Sequence, residues 1–206
     1  MLPAPPLLLI NDRIQARGDL ASVLVSACEG GCRWISLREK DLPGAEQVFL
    51  FRHVREVLMP YGVTLTLHGS AALAKEAGAD GVHLPAGADP LAARALLGPR
   101  ALIGLSAHRP EEARAADPAV LDYVTASPVF LTASKPGYGP ALGPQGLRAF
   151  AEVARVPVIA LGGIEAANAG DCRQAGAAGI AVMGGLMRAE DPGAMLRTLL
   201  HGSGTP

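Results

Sequence analysis

PVIALGGIEAANAGDCRQAGAAGIAVMGGL, Pro157 to Leu186, reads as strand, diglycine, helix, strand, diglycine. Val158–Leu161 is an apolar run of the length that one buried parallel strand needs, and it stops at Gly162-Gly163. A small-residue helix is expected from Glu165 to Ala175, closed by Gly176. A second apolar run, Gly179–Met183, stops at Gly184-Gly185. Glycines at the C-terminal ends of strands leave backbone N–H groups uncovered, and such groups suit a phosphate. The plainer reading of either pair alone is a tight turn. In an eight-fold barrel, however, the loops after strands seven and eight are the commonest phosphate site, and two pairs at equivalent strand ends favour that use.

Working outward, the same unit recurs. The runs Leu7–Ile10, Arg33–Leu37, Val63–Leu67, Gly81–Leu84, Ala101–Leu105 and Leu121–Thr125 each precede a helical segment. Asp19 is placed to cap a helix over Leu20–Cys28, and Ser70 one over Ala71–Ala77 closed by Gly78. Gly44–Met59 is stopped by Pro60 and Gly62, while Pro90, Pro110 and Pro192 sit in first helical turns. Gln145–Ala154 is a further helix. Eight βα units, each of roughly 20 to 30 residues, predict an α/β fold, a single (β/α)8 TIM barrel domain over residues 1–206. No G-x-G-x-x-G follows the first strand, which counts against a doubly wound dinucleotide-binding sheet.

Composition agrees. The chain is 50% hydrophobic but only 4% aromatic, so its core must be built from Ala, Val, Leu and Ile, as in parallel sheets buried on both faces. A net charge of −1 argues against nucleic acid and against an anionic membrane surface as partners, so an anionic ligand has to be met by a local pocket. No run approaches the ~20 apolar residues that span a bilayer. MLPAPPLLLIND at residues 1–12 lacks a basic leader and reads as the approach to strand one, so a cytoplasmic protein is expected. Cys28, Cys32 and Cys172 are an odd number without a matching His or Cys pair at ligand spacing. They are expected to be small buried residues, neither disulfides nor zinc ligands.

A barrel gathers its chemistry at the C-terminal strand ends. The candidates there are Arg38 and Lys40 after strand two, His68 after strand three, His83 in strand four, Ser106 and His108 after strand five, and Thr132, Ser134 and Lys135 in the long loop SPVFLTASKPGYGPALG after strand six. Arg38 and Lys40 alternate along an extended end, so they face the same side and suit an anion. The other reading is a solvated ion-pair cluster with Glu39 and Asp41. Histidine is the side chain suited to moving a proton near neutral pH, which makes His68 a candidate for that role and His83 a second.

These motifs together resemble the thiamine phosphate synthase and TenI-like superfamily. The resemblance runs through SLREK (36–40), GVHLPAGAD (81–89), IGLSAH (103–108), SPVFLTASKPG (127–137), PVIALGGI (157–164) and GIAVMGGL (179–186). It implies a barrel acting on a small-molecule thiazole phosphate in vitamin B1 synthesis, and a homodimer. Carried over by motif, Arg38, Lys40, Ser106, Thr132, Ser134 and Lys135 would hold pyrophosphate, while Gly162, Gly163, Met183, Gly184 and Gly185 would hold the thiazole phosphate. Two departures from the synthase pattern stand out. His68-Gly69 replaces Asn-Asp, and Pro85-Ala86-Gly87-Ala88 replaces Gly-Gln-x-Asp with Asp89 displaced by one, so the carboxylates for Mg2+ are reduced.

LPAGAD and SKPGYGPALG look closer to the TenI-like branch, which implies a thiazole tautomerase needing no metal or other cofactor, with His68 or His83 moving the proton and Arg38 and Lys40 assisting. The histidine of that branch falls on Pro128 here. The alternative is a thiamine phosphate synthase using Mg2+, and a third reading is a barrel that binds a thiazole or thiamine phosphate without turnover.

Overall fold

The computed structural model describes residues 1–132 and 140–201. Eight parallel strands close on themselves: β1 (Leu7–Ile10), β2 (Trp34–Leu37), β3 (Thr64–His68), β4 (Gly81–Leu84), β5 (Leu102–Ala107), β6 (Tyr123–Ala126), β7 (Val158–Leu161) and β8 (Gly179–Val182). Each pairs with the next, and β8 returns to β1 through Leu7–Ile180 to Leu9–Val182. The expected (β/α)8 barrel is therefore the observed one.

Side chains alternate between two compartments because strand residues point to opposite faces. Leu8, Ile10, Trp34, Leu102, Tyr123, Ile159 and Ala181 pack together inside the barrel. Leu7, Leu9, Ile35, Leu37, Val82 and Ile103 face outward and join the larger core under the helices. Within the barrel, Ser36, Thr66, His83 and Thr125 are also buried, so the interior is polar one step below its mouth.

The helices are α1 (Leu20–Glu29), α2 (Gly44–Leu58), α3 (Ala71–Ala77), α4 (Pro90–Leu97), α5 (Pro110–Ala115), α6 (Gly143–Val153), α7 (Ala169–Gln174), α8 (Gly184–Met187) and α9 (Pro192–His201). Asp19 and Ser70 cap α1 and α3 as their sequence positions predict. Several boundaries move by one to four residues, and two of the differences bear on the cavity. The helix expected from Glu165 begins only at Ala169, because Asn168 folds the preceding residues into a turn: its Oδ1 accepts from Glu165 N at 2.8 Å and its Nδ2 donates to Gly163 O at 2.9 Å. The second diglycine is no turn either. It opens the short helix α8.

The three cysteines are buried free thiols. Burial pushes Cys28 up to about 12 and Cys32 and Cys172 up to about 11, which keeps all three protonated at neutral pH. No described helix is long and apolar enough to cross a membrane.

Candidate active site

A cavity of about 580 Å3 opens at the C-terminal ends of the strands. Every candidate residue that the structure describes lines it: Arg38, Lys40, His68, His83, Ser106, Thr132, Gly162, Gly163, Met183, Gly184 and Gly185. Ser134 and Lys135 lie outside the described residues.

The end of β2 is built by a network that reaches back to β1. Glu39 is buried, and it accepts hydrogen bonds from Asn11 Nδ2 at 2.5 Å, from the Arg13 backbone N–H at 3.1 Å and from the Arg13 guanidinium at 2.8 Å. Arg13 also forks onto Asp41, at 2.9 and 2.6 Å, and this holds the Asp41 carboxyl below the usual range. Asn11 Oδ1 accepts the Arg38 backbone N–H at 2.6 Å. The charge of Arg38 also acts on the Asp41 carboxylate. Both acids are taken by Arg13, and the two cations line the cavity.

His68 and His83 lie side by side on adjacent strands, with ring centroids 5.0 Å apart. His68 is half-buried, whereas His83 is 1% exposed. The His83 Nδ1 lies 3.0 Å from the Tyr123 hydroxyl and its Nε2 lies 3.0 Å from Ser106 Oγ. Burial, with the charge of Lys40 adding to it, pushes its imidazole down to about 3, so the ring is neutral at physiological pH. A ring so hard to protonate, with both nitrogens occupied, is a poor general base but a good anchor for Ser106. His108 also lines the cavity, with its Nδ1 2.9 Å from the Ser127 carbonyl, which makes Nδ1 a donor.

The glycine-rich ends of β7 and β8 line the same cavity. Gly163 has φ +61°, and a Cβ there would come within 2.3 Å of Leu131 O. That close approach arises because the loop after β6 is stitched to the end of β7: Val129 N donates to Leu161 O at 2.9 Å and Phe130 N to Gly162 O at 3.0 Å. Gly184 and Gly185 form the first turn of α8, where backbone N–H groups have no acceptor within the helix.

Several contributors were not singled out from the sequence. Asn11 and Arg13 sit at the end of β1, where the barrel rule pointed, but their partners lie 26 to 28 residues away. Arg188, just past α8, lines the cavity and donates to Gln15 Oε1. Glu165 and Ser127 also line it.

Mg2+ requires hard oxygen ligands in near-octahedral array. Among the described residues no three His, Cys, Asp or Glu side chains gather around a common point. Gly69 offers no side chain, and the Asp89 carboxylate is used to cap α4 through the N–H groups of Leu91 and Ala92. Those two positions therefore offer Mg2+ no carboxylate; of the described acids, Glu165 lines the cavity.

The arrangement brings two cations and two glycine-rich strand ends to one cavity, a setting suited to anionic groups. Comparison with known proteins points to one family. A profile described as "Thiamine monophosphate synthase" matches residues 7–186. The "Putative thiamine-phosphate synthase" of Geobacter sulfurreducens is 42% identical over 196 residues, covering 94% of this chain and 92% of that protein. The "Thiamine biosynthesis bifunctional protein ThiM/ThiE" of Symbiobacterium thermophilum is 43% identical over 179 residues, and the match covers 86% of this chain and 37% of that protein. Among solved structures, "Thiamine phosphate pyrophosphorylase" from Pyrococcus furiosus superposes with a TM-score of 0.82 at 30% identity, covering 95% of this chain and 93% of that one.

Proposed function

The chain belongs to the thiamine monophosphate synthase family, and on that basis we propose that it is a thiamine-phosphate synthase, joining a thiazole phosphate to a hydroxymethylpyrimidine pyrophosphate. The observation that carries this reading is that one cavity gathers both the cationic and the glycine-rich strand ends. Arg38, Lys40, Ser106 and Thr132 line it, and so do Gly162, Gly163, Gly184 and Gly185. One enzyme that couples two phosphorylated substrates needs two anion sites within reach of each other.

In the coupling, the thiazole nitrogen forms a C–N bond to the pyrimidine methylene carbon as the C–O bond to pyrophosphate breaks. The electron pair of that C–O bond leaves with pyrophosphate, so negative charge grows on the departing oxygen. Preorganised cations and donors aimed at that charge lower the barrier. Arg38, Lys40 and the Ser106 hydroxyl supply them. The first-turn N–H groups of α8 and the Gly162-Gly163 turn hold the thiazole phosphate and orient the attacking nitrogen.

The decisive experiment mixes purified protein with both substrates, with and without millimolar Mg2+, and follows thiamine phosphate by mass spectrometry. Product formation supports the synthase; none in either condition excludes it.

One observation favours a second reading, a thiazole tautomerase. His68 occupies the cavity at the position of the synthase's Asn-Asp motif, where a proton acceptor near neutral pH would be useful. Wild type would then aromatise the thiazole carboxylate phosphate and His68→Ala would not. Tight binding of thiazole phosphate with no turnover in either assay would select the non-catalytic reading.

A further inference from the structure

Tyr123 is completely buried inside the barrel, edge-on to Trp34 at 4.8 Å between ring centroids. Among the described residues its hydroxyl has one hydrogen-bond partner, His83 Nδ1 at 3.0 Å. A phenol is both donor and acceptor. If Nδ1 carried the proton, the tyrosine hydroxyl could only accept, and its own hydrogen would be buried with nowhere to go. Leaving a buried donor unmade costs ~1–3 kcal/mol. The tyrosine therefore donates, which makes Nδ1 the bare nitrogen and Nε2 the N–H.

The consequence passes to the next residue. Nε2–H donates to Ser106 Oγ at 3.0 Å, the sole side-chain partner of that hydroxyl among the described residues. Ser106 has then accepted its bond from within the protein, and its own hydrogen remains for whatever occupies the cavity that it lines. We propose that Tyr123 and His83 form a one-directional hydrogen-bond relay that keeps the Ser106 hydrogen available to donate, favouring a ligand oxygen that accepts. The relay acts as a pair of positioning residues; neither is a catalytic residue, because neither transfers a proton. Burial holds the His83 ring neutral and the Tyr123 phenol protonated, so the direction does not reverse across the physiological range.

Gly104 makes room for the relay. It pairs with Tyr123 across β5 and β6, and a Cβ there would lie 2.0 Å from the tyrosine Cζ. The ligand class that fits is a phosphoryl or pyrophosphoryl group, whose oxygens accept and do not donate. Assigning pyrophosphate to Ser106 rests on the synthase reading.

The test has two readouts on the full-length protein. Side-chain 15N NMR of histidine-labelled protein should find the His83 hydrogen on Nε2 in wild type. A hydrogen on Nδ1 overturns the relay. Calorimetric titration with inorganic pyrophosphate should then show affinity falling about tenfold in Tyr123→Phe, which frees the tautomer while keeping the ring packing. His83→Leu should lose a similar amount, and His83→Gln, which restores an N–H donor, should recover most of it. In a Ser106→Ala background, Tyr123→Phe should cost nothing further, because the relay has lost its output. Unchanged pyrophosphate affinity in a folded Tyr123→Phe protein overturns the proposal. Absence of thiamine phosphate production, with these tautomer and affinity results intact, would count against the synthase and leave the relay standing.

Discussion

Asn11 donates to Glu39 at 2.5 Å, joining the end of β1 to a carboxylate that is 3% exposed at the end of β2. The same asparagine accepts the Arg38 N–H, so one side chain fixes both the buried acid and the backbone of the cation beside it. Removing the acid leaves Asn11 Nδ2 without its acceptor. Losing the hydrogen bonds to this buried charge costs ~1.5–3 kcal/mol, because Arg13 stays part-exposed and paired with Asp41. Glu39→Ala should therefore lower the urea midpoint by that equivalent, with Glu39→Gln losing less. Equal stability of Glu39→Ala and wild type would contradict this.

Arg38→Ala and Lys40→Ala address binding, because both side chains line the cavity, Arg38 half-buried and Lys40 exposed. A hydrogen bond to a charged group contributes ~1.5–3 kcal/mol, so each substitution should weaken pyrophosphate binding by about 10- to 100-fold. The melting temperature should stay near wild type. Raising the salt concentration should narrow the difference between wild type and variants for exposed Lys40 more than for Arg38. Binding unaffected by either change would remove these two cations from the site.

At Gly163 the question is shape. A left-handed φ of +61° combined with a 2.3 Å approach to Leu131 O leaves no room for alanine without moving the loop after β6. Strain of this kind costs ~1–3 kcal/mol. Gly163→Ala should lose stability in that range and raise the KM for thiazole phosphate more than the KM for the pyrimidine substrate. A rise confined to the pyrimidine substrate would mean that this turn does not hold the thiazole phosphate.

His83 makes stability depend on pH. Its folded value, about 3, is below the ~6.5 of an unfolded histidine. Between those values the unfolded chain binds the extra proton, so stability rises with pH across the interval. The contribution is fully present above about pH 6.5 and is lost progressively as pH falls toward 3. Lys40 and the neighbouring His68 ring face the same imidazole, and Lys40 reinforces its neutral form. Thermal melts from pH 7.5 to 4 should fall more steeply for wild type than for His83→Gln. Parallel curves would place the histidine's proton affinity near its ordinary value.

Much of this fold is written in local pattern. Strand runs such as Leu7–Ile10, Gly81–Leu84 and Val158–Leu161 match the observed strands residue for residue, because burial on both faces demands uninterrupted apolar stretches. Arg38, Lys40, His68 and Ser106 were legible as candidates for the mouth because a barrel assigns strand ends to it. What pattern did not convey were pairings set by closure of the barrel. Nothing local in Tyr123 points to His83, 40 positions earlier, and nothing in Arg13 points to Glu39 and Asp41. The second diglycine was misread as a turn because glycine is a poor helix former. Tertiary packing holds α8 instead, with Leu186 and Met187 buried.

The stitching of Val129 and Phe130 to Leu161 and Gly162 has an evolutionary and engineering corollary. Two segments that share hydrogen bonds and interlock at Gly163 cannot diverge separately. A substitution that reshapes one must be matched in the other, so lineages adapting this barrel to new ligands should change both together. Anyone grafting a foreign specificity onto this scaffold should transplant residues 127–132 and 161–164 as one cassette.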